Sequence, residues 1–290
     1  PPLDNATTIY WEQGMLDVLA DYPITSDRSR FAVRARLERL ALTVVTTLRF
    51  QAPGTPERAF ELLGDAGLVR LDPRWHQAAW RFVRLGFAHI LDGIDHLLFL
   101  GALVIPFRRW RPLVAIVTAF TAAHSLTLIA SALGYAPGAL WFPPLVEALI
   151  AVSIVYMALE NIVAPALARR WAVAFAFGLV HGFGFSFGLQ HTLQFAGSHL
   201  LTSLVAFNVG VEAGQLLVLA ILIPLLHLTF RYVVAERMGT IVLSAFVAHT
   251  GWHWTLDRFA TLRQFQRPSF TASDIASAML WLMALVVVGA

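Results

Sequence analysis

Cysteine and lysine are both missing from this chain, and charge of either sign is scarce. Without cysteine there are no disulfides and no thiolate metal sites. The five methionines are scattered, which argues against a soft Cu(I) pathway. Any metal must therefore be held by imidazole nitrogen and carboxylate oxygen. Without lysine, the net charge of +3 rests on arginine alone, and arginines this scattered do not argue for nucleic acid binding. Charged residues make up 13% of the chain, where a soluble domain carries roughly a quarter. With 58% hydrophobic residues and a mean hydropathy of +0.66, the composition is that of a polytopic membrane protein.

The chain divides near residue 75. Residues 1–75 hold much of the charge, short alternating runs such as FAVRAR and TVVTTLRF, and the turn signals APGTP and GDAG. They are expected to form a small N-terminal extracytoplasmic domain containing β structure. The start, PPLDNATTIY, has neither an initiator methionine nor signal-peptide regions, and reads as a processed or trimmed product. Residues 76–290 are expected to be an all-α polytopic membrane domain. Seven apolar segments, at about 82–106, 113–134, 145–163, 172–190, 202–228, 239–256 and 274–290, each approach the roughly 20 residues that cross a bilayer. The loops RRWRP, ARR and RYVVAER are basic, whereas YAPGALWFPP and HTLQFAGSHL carry no Arg, Asp or Glu. The excess of arginine places the basic loops and the C-terminus in the cytoplasm of a bacterial inner membrane. DRFATLRQFQRP, with three arginines on the outer side, is the exception.

Ionisable side chains inside a bilayer are costly and mark functional sites by default. The expected spans contain Asp92, Asp95, Glu147, Glu160 and Glu212, together with His89, His96, His124, His181, His249 and His253. They contain no deep arginine to neutralise the acids; ARR (168–170) reads as a loop. On a continuous helix, His89, Asp92 and His96 fall within about 60° of one another, and Asp95 about 60° further round. Asn208, Glu212 and Gln215 share one face of a later segment, and His249 and His253 stand at i, i+4. His124 has Thr121 beside it, and Gly178, Gly182, Gly184 and Gly188 near His181 permit close helix approach. The expected arrangement is a polar ladder that opens outward and ends mid-membrane, where His96, His124, His181 and His249 converge near Glu212. A lone intramembrane histidine is more often a hydrogen-bond partner, and Ser125 and Ser153 read as helix-packing hydroxyls. His76, His191, His199 and His227 carry no expected role. Nine expected metal residues follow: His89, Asp92, Asp95, His96, His124, His181, Glu212, His249 and His253. Imidazole with carboxylate suits nickel, cobalt or zinc without distinguishing them.

His89, Asp95 and His96 within GFAHILDGIDHLLFL, followed by FGLVHGFGF and FNVGVEAGQL, resemble the HupE/UreJ family of hydrogenase and urease accessory membrane proteins. The resemblance covers about residues 80–290 and is nearest to the longer branch with an extracytoplasmic N-terminal region. It implies a nickel or cobalt permease that supplies metalloenzyme maturation proteins. By the motif match, His89, Asp95, His96 and His181 carry over as metal-pathway residues. The chain departs from the family after the His-Gly pair, where a glutamate is expected and GFGFSFGL has none. Glu212 is the candidate for that charge.

Two functions fit these residues. A divalent transition-metal permease would take metal from the outer side past His253, His89 and Asp92 to the mid-membrane site, then release it past Glu160. Its ligands must let go, so its affinity must be modest. An intramembrane metal-dependent hydrolase would instead use three histidines to activate water, with Glu212 or Asp95 as general base on a lipid or membrane-embedded substrate. The partners implied are the lipid bilayer, the metal ion and, for the permease, maturation proteins; a non-catalytic accessory subunit remains a third reading.

Overall fold

The structure is a computed structural model that describes residues 58–163, 165–196 and 199–265, with 31–34, 45–51 and positions 23, 26 and 29. Most of the described chain is helical. The helices are α1 (Trp75–Asp92), α2 (Ile94–Val104), α3 (Trp110–Ala132), α4 (Phe142–Val163), α5 (Leu167–Leu193), α6 (Leu200–Tyr232) and α7 (Glu236–Leu262). Helices α3, α4 and α6 are long and apolar enough to cross a membrane, and α1 with α2 make a fourth such unit, bent by 70°. Helices α5 and α7 have the length, 27 residues each, but carry more polar side chains. The segment 274–290, expected as a seventh span, lies outside the described residues.

The first expected span is therefore not one helix. It breaks at Gly93, whose backbone is extended (φ −80°, ψ 97°) between α1 and α2. A Cβ at Gly93 would lie 2.8 Å from both the His89 carbonyl and His96 Nδ1, and 3.0 Å from Asp95 Oδ1. Glycine is what lets the chain turn inside this polar knot.

Glycines also set the helix pairing. Gly178 and Gly182 of α5 press onto the backbone of Phe120 and His124 in α3. Gly210 and Gly214 of α6 do the same to Val83 and Phe87 in α1, where Gly86 meets Phe207 in return. Both are small-xxx-small contacts that bring backbones together where apolar burial gives no drive between helices. Each pair runs parallel, while α4 and α7 run antiparallel through Glu147–Arg258 and Asn161–Ser244. These relations fit a chain that reverses direction at every connection.

Before α1, β1 (Ala32–Val33) pairs antiparallel with β4 (Val69–Arg70), and β2 (Val45–Phe50) with β3 (Arg58–Leu63). The GDAG turn uses Gly64 and Gly67 at φ +55° and +69°, with Asp65 accepting from the Gly67 N–H and pairing with Arg34. The strands bury Phe60, Leu62, Val69 and Leu71, with Phe195 packed against them. The Gln194 amide, in a 3-10 turn after α5, bonds both the N–H and the carbonyl of Glu61. The end of α5 is thus tied to strand β3.

Candidate metal site

Where α1, α2 and α3 meet, His89, His96 and His124 each bring a ring nitrogen to within 4.8 Å of the others. The Nε2 atoms of all three are buried and have no hydrogen-bond partner. An unsatisfied buried polar atom costs roughly 1–3 kcal/mol, so three of them within one histidine cluster need a reason. A metal ion supplies one, because it is the partner that several lone pairs share.

The rings are oriented from behind. His96 Nδ1 lies 3.0 Å from Asp95 Oδ1, and a carboxylate only accepts, so the ring hydrogen sits on Nδ1 and the lone pair on Nε2. His124 Nδ1 lies 3.2 Å from Asn208 Oδ1, while the Asn208 amide nitrogen donates to the Leu204 carbonyl at 2.8 Å. That second bond fixes which end of the amide faces His124, and leaves its Nε2 as acceptor. A hydrogen bond on the far nitrogen is the usual way a ligating imidazole is held in place. Asp95, in the first turn of α2, also accepts from the His96 N–H at 2.9 Å. A carboxylate at a helix start is favoured by the unpaired N–H groups there.

The remaining expected residues divide. His181 is fully buried on α5, its ring centroid 5.3 Å from that of His96, and its Nε2 faces Ser153 Oγ. Glu212 sits between α6 and α3, where Oε1 accepts from Thr118 at 2.6 Å. It is not among the groups that close on the trio, and its Oε2 is buried without a hydrogen-bond partner. Asp92 is exposed at the end of α1. The helical-wheel reading that grouped it with His89 and His96 assumed a continuous helix, and the bend at Gly93 turns Asp92 out and Asp95 in. His249 and His253 contact each other at 4.5 Å between centroids but lie exposed on α7, away from the trio. Helix α7 packs mainly on α4, and both histidines are exposed there. Asp92, His249 and His253 are thus not among the described residues that close on the trio.

Two residues carry more than their sequence suggested. Arg170 is fully buried in the first turn of α5, not in a loop. It pairs with Glu160 at 2.7 Å, bonds Asn161, and donates to the Leu103 carbonyl at 3.0 Å, with its guanidinium over Phe107. Asn161 donates to Ala102 at 2.7 Å and Ser244 at 3.2 Å. The network binds the last carbonyls of α2, the half-helix that carries His96, to α4, α5 and α7. Glu160 thus has a buried cation as partner, contrary to the expectation of unneutralised acids. Ser153 is the other; spacing alone could not connect it to a histidine 28 residues away.

These features define a polytopic helical membrane protein with a buried histidine cluster suited to a transition metal. The HupE / UreJ protein family profile matches residues 66–258, about two thirds of the chain, and the protein belongs to that family. No curated protein and no solved structure matches it. Family and cluster together indicate a role in metal handling.

Proposed function

We propose that the protein is an inner-membrane permease for a divalent ion of the nickel, cobalt and zinc class, with its N-terminal region outside and its basic loops in the cytoplasm. The observation that carries this reading is the set of three buried, unpartnered Nε2 atoms of His89, His96 and His124. An ion entering the trio exchanges bound waters for neutral imidazoles. Asp95 behind His96 offsets part of the ion's charge without itself closing the site. Conduction needs a site that also releases its ion, and three imidazoles leave further coordination positions open to exchange. Delivery then serves assembly of a metalloenzyme, in keeping with the family.

The hydrolase reading has one observation in its favour: three imidazoles with an open fourth position are a catalytic zinc complement. It needs a free base beside the bound water. Asp95 Oδ1 is held by His96, and Glu212, whose Oε2 is buried without a partner, is not among the groups that close on the trio. The permease reading is the better supported.

Reconstitution decides between them. Proteoliposomes should accumulate Ni2+, Co2+ or Zn2+ down an imposed gradient, and His124→Ala should abolish accumulation while the protein stays folded. Wild-type vesicles that bind metal but never move it would refute the permease.

A further inference from the structure

Ser153 of α4 is fully buried against His181 of α5. A serine hydroxyl has one hydrogen to give. It goes to the Ile150 carbonyl, 2.6 Å away and one turn back on the same helix. Toward His181 Nε2, at 3.1 Å, the Ser153 oxygen can therefore only accept. Nε2 carries the ring hydrogen, and the lone pair lies on Nδ1.

That Nδ1 is buried and has no hydrogen-bond partner. Phe99 and Phe120 flank the ring, at 5.3 and 5.1 Å between centroids, and neither offers a donor. Beside them stands His96, at 5.3 Å and 87°. Two imidazoles on one tetrahedral ion, with metal–nitrogen bonds of about 2.1 Å, have centroids about 5.2 Å apart. The observed spacing is that of a pair able to share an ion. It requires the lone pair of His181 on Nδ1, since an N–H there would repel a cation.

Resting on the permease reading above, we propose that Ser153 is a positioning residue that selects the tautomer of His181. It keeps a fourth nitrogen ready beside the trio, so that an ion leaving His89 and His124 passes to His96 and His181 without regaining its full water shell. Ser153 does not touch the ion; its effect runs through the imidazole. Without it the ring would populate both tautomers, and one of them closes the step.

Full-length wild type, Ser153→Ala and Ser153→Thr would be compared, with thermal unfolding as the folding control. Nitrogen-15 NMR of histidine-labelled, metal-free protein, with His181 assigned through His181→Gln, reads the tautomer. Zn2+ titration reads affinity. Wild type and the Thr variant should show the Nε2–H form and equal affinity. The Ala variant should show mixed tautomers and an affinity weakened by the share of rings in the wrong form, about 2-fold where the two are equally populated. Wild-type affinity or an unmixed tautomer in the Ala variant overturns this proposal alone. A wild type that binds no Zn2+, Ni2+ or Co2+ overturns the permease reading, and this proposal with it.

Discussion

Asn208 joins α6 to α3 by accepting from His124 Nδ1 at 3.2 Å, and its own amide nitrogen is spent on Leu204. The amide thus acts as an oriented acceptor, in the way that Asp95 serves His96. Asn208→Leu should keep the helix contact but release His124, weakening metal binding 10- to 100-fold. Asn208→Asp keeps an acceptor and should retain most of the affinity. Equal affinity in all three proteins, measured by Zn2+ titration, would show that His124 needs no such support.

Gly93 and Gly101 make a matched pair on the broken helix. A Cβ at Gly93 meets His89, His96 and Asp95 within 3.0 Å, whereas one at Gly101 meets nothing within 4 Å. Gly93→Ala should displace at least one ligand and reduce bound metal sharply. Gly101→Ala should leave metal binding intact and raise helix stability by up to about 1 kcal/mol. Metal content and unfolding midpoints of the two variants test the contrast; equal behaviour would mean that the bend does not depend on glycine.

The difference between residues legible in the sequence and those that were not follows from range. His89, Asp95, His96 and His124 stood out because an imidazole or acid in an apolar run is locally conspicuous. The face of Asn208, Glu212 and Gln215 was also legible, and it meets His124, Thr118 and Thr121 on α3. Asp92 misled because a helical wheel presumes a helix, and a single glycine between two acids gives no measure of a 70° bend. His249 and His253 misled for another reason. Depth in the membrane can be counted along the chain, but which neighbour a helix packs against cannot.

Arg170 and Glu160 form a buried ion pair at 2.7 Å that clamps the end of α2. Removing one partner leaves the other charge buried, which typically costs 3–5 kcal/mol. Arg170→Met should therefore destabilise strongly, and the double variant Arg170→Met, Glu160→Leu should recover much of the loss. Thermal unfolding in detergent of both singles and the double completes the cycle. Additive losses would mean that the two side chains act independently.

The orientation is open to a direct test, since the chain has no cysteine of its own. Single cysteines at Ala52 and Trp110 would be exposed to a membrane-impermeant thiol reagent on intact cells. The reagent should label position 52 and spare 110, which should react only after the membrane is opened. The reverse pattern would invert the proposed direction of transport.

His96 sits at the centre of these relations. It shares the trio with His89 and His124, stands beside His181, and takes its orientation from Asp95. His96→Ala removes one metal bond and the partner of Asp95 together, so loss of a direct ligand should exceed the 10- to 100-fold seen for groups behind a ligand. His96→Asn keeps a polar group of similar reach that can still donate to Asp95, but offers no imidazole lone pair. If His96 only packs helices, Asn should restore stability, and metal content should not change in either variant. If it is a ligand, both variants should lose bound metal and uptake, while Asn unfolds close to the wild-type temperature. Stable Ala and Asn variants that both retain wild-type metal would leave the three converging nitrogens as packing polarity, and the permease reading would fall with them.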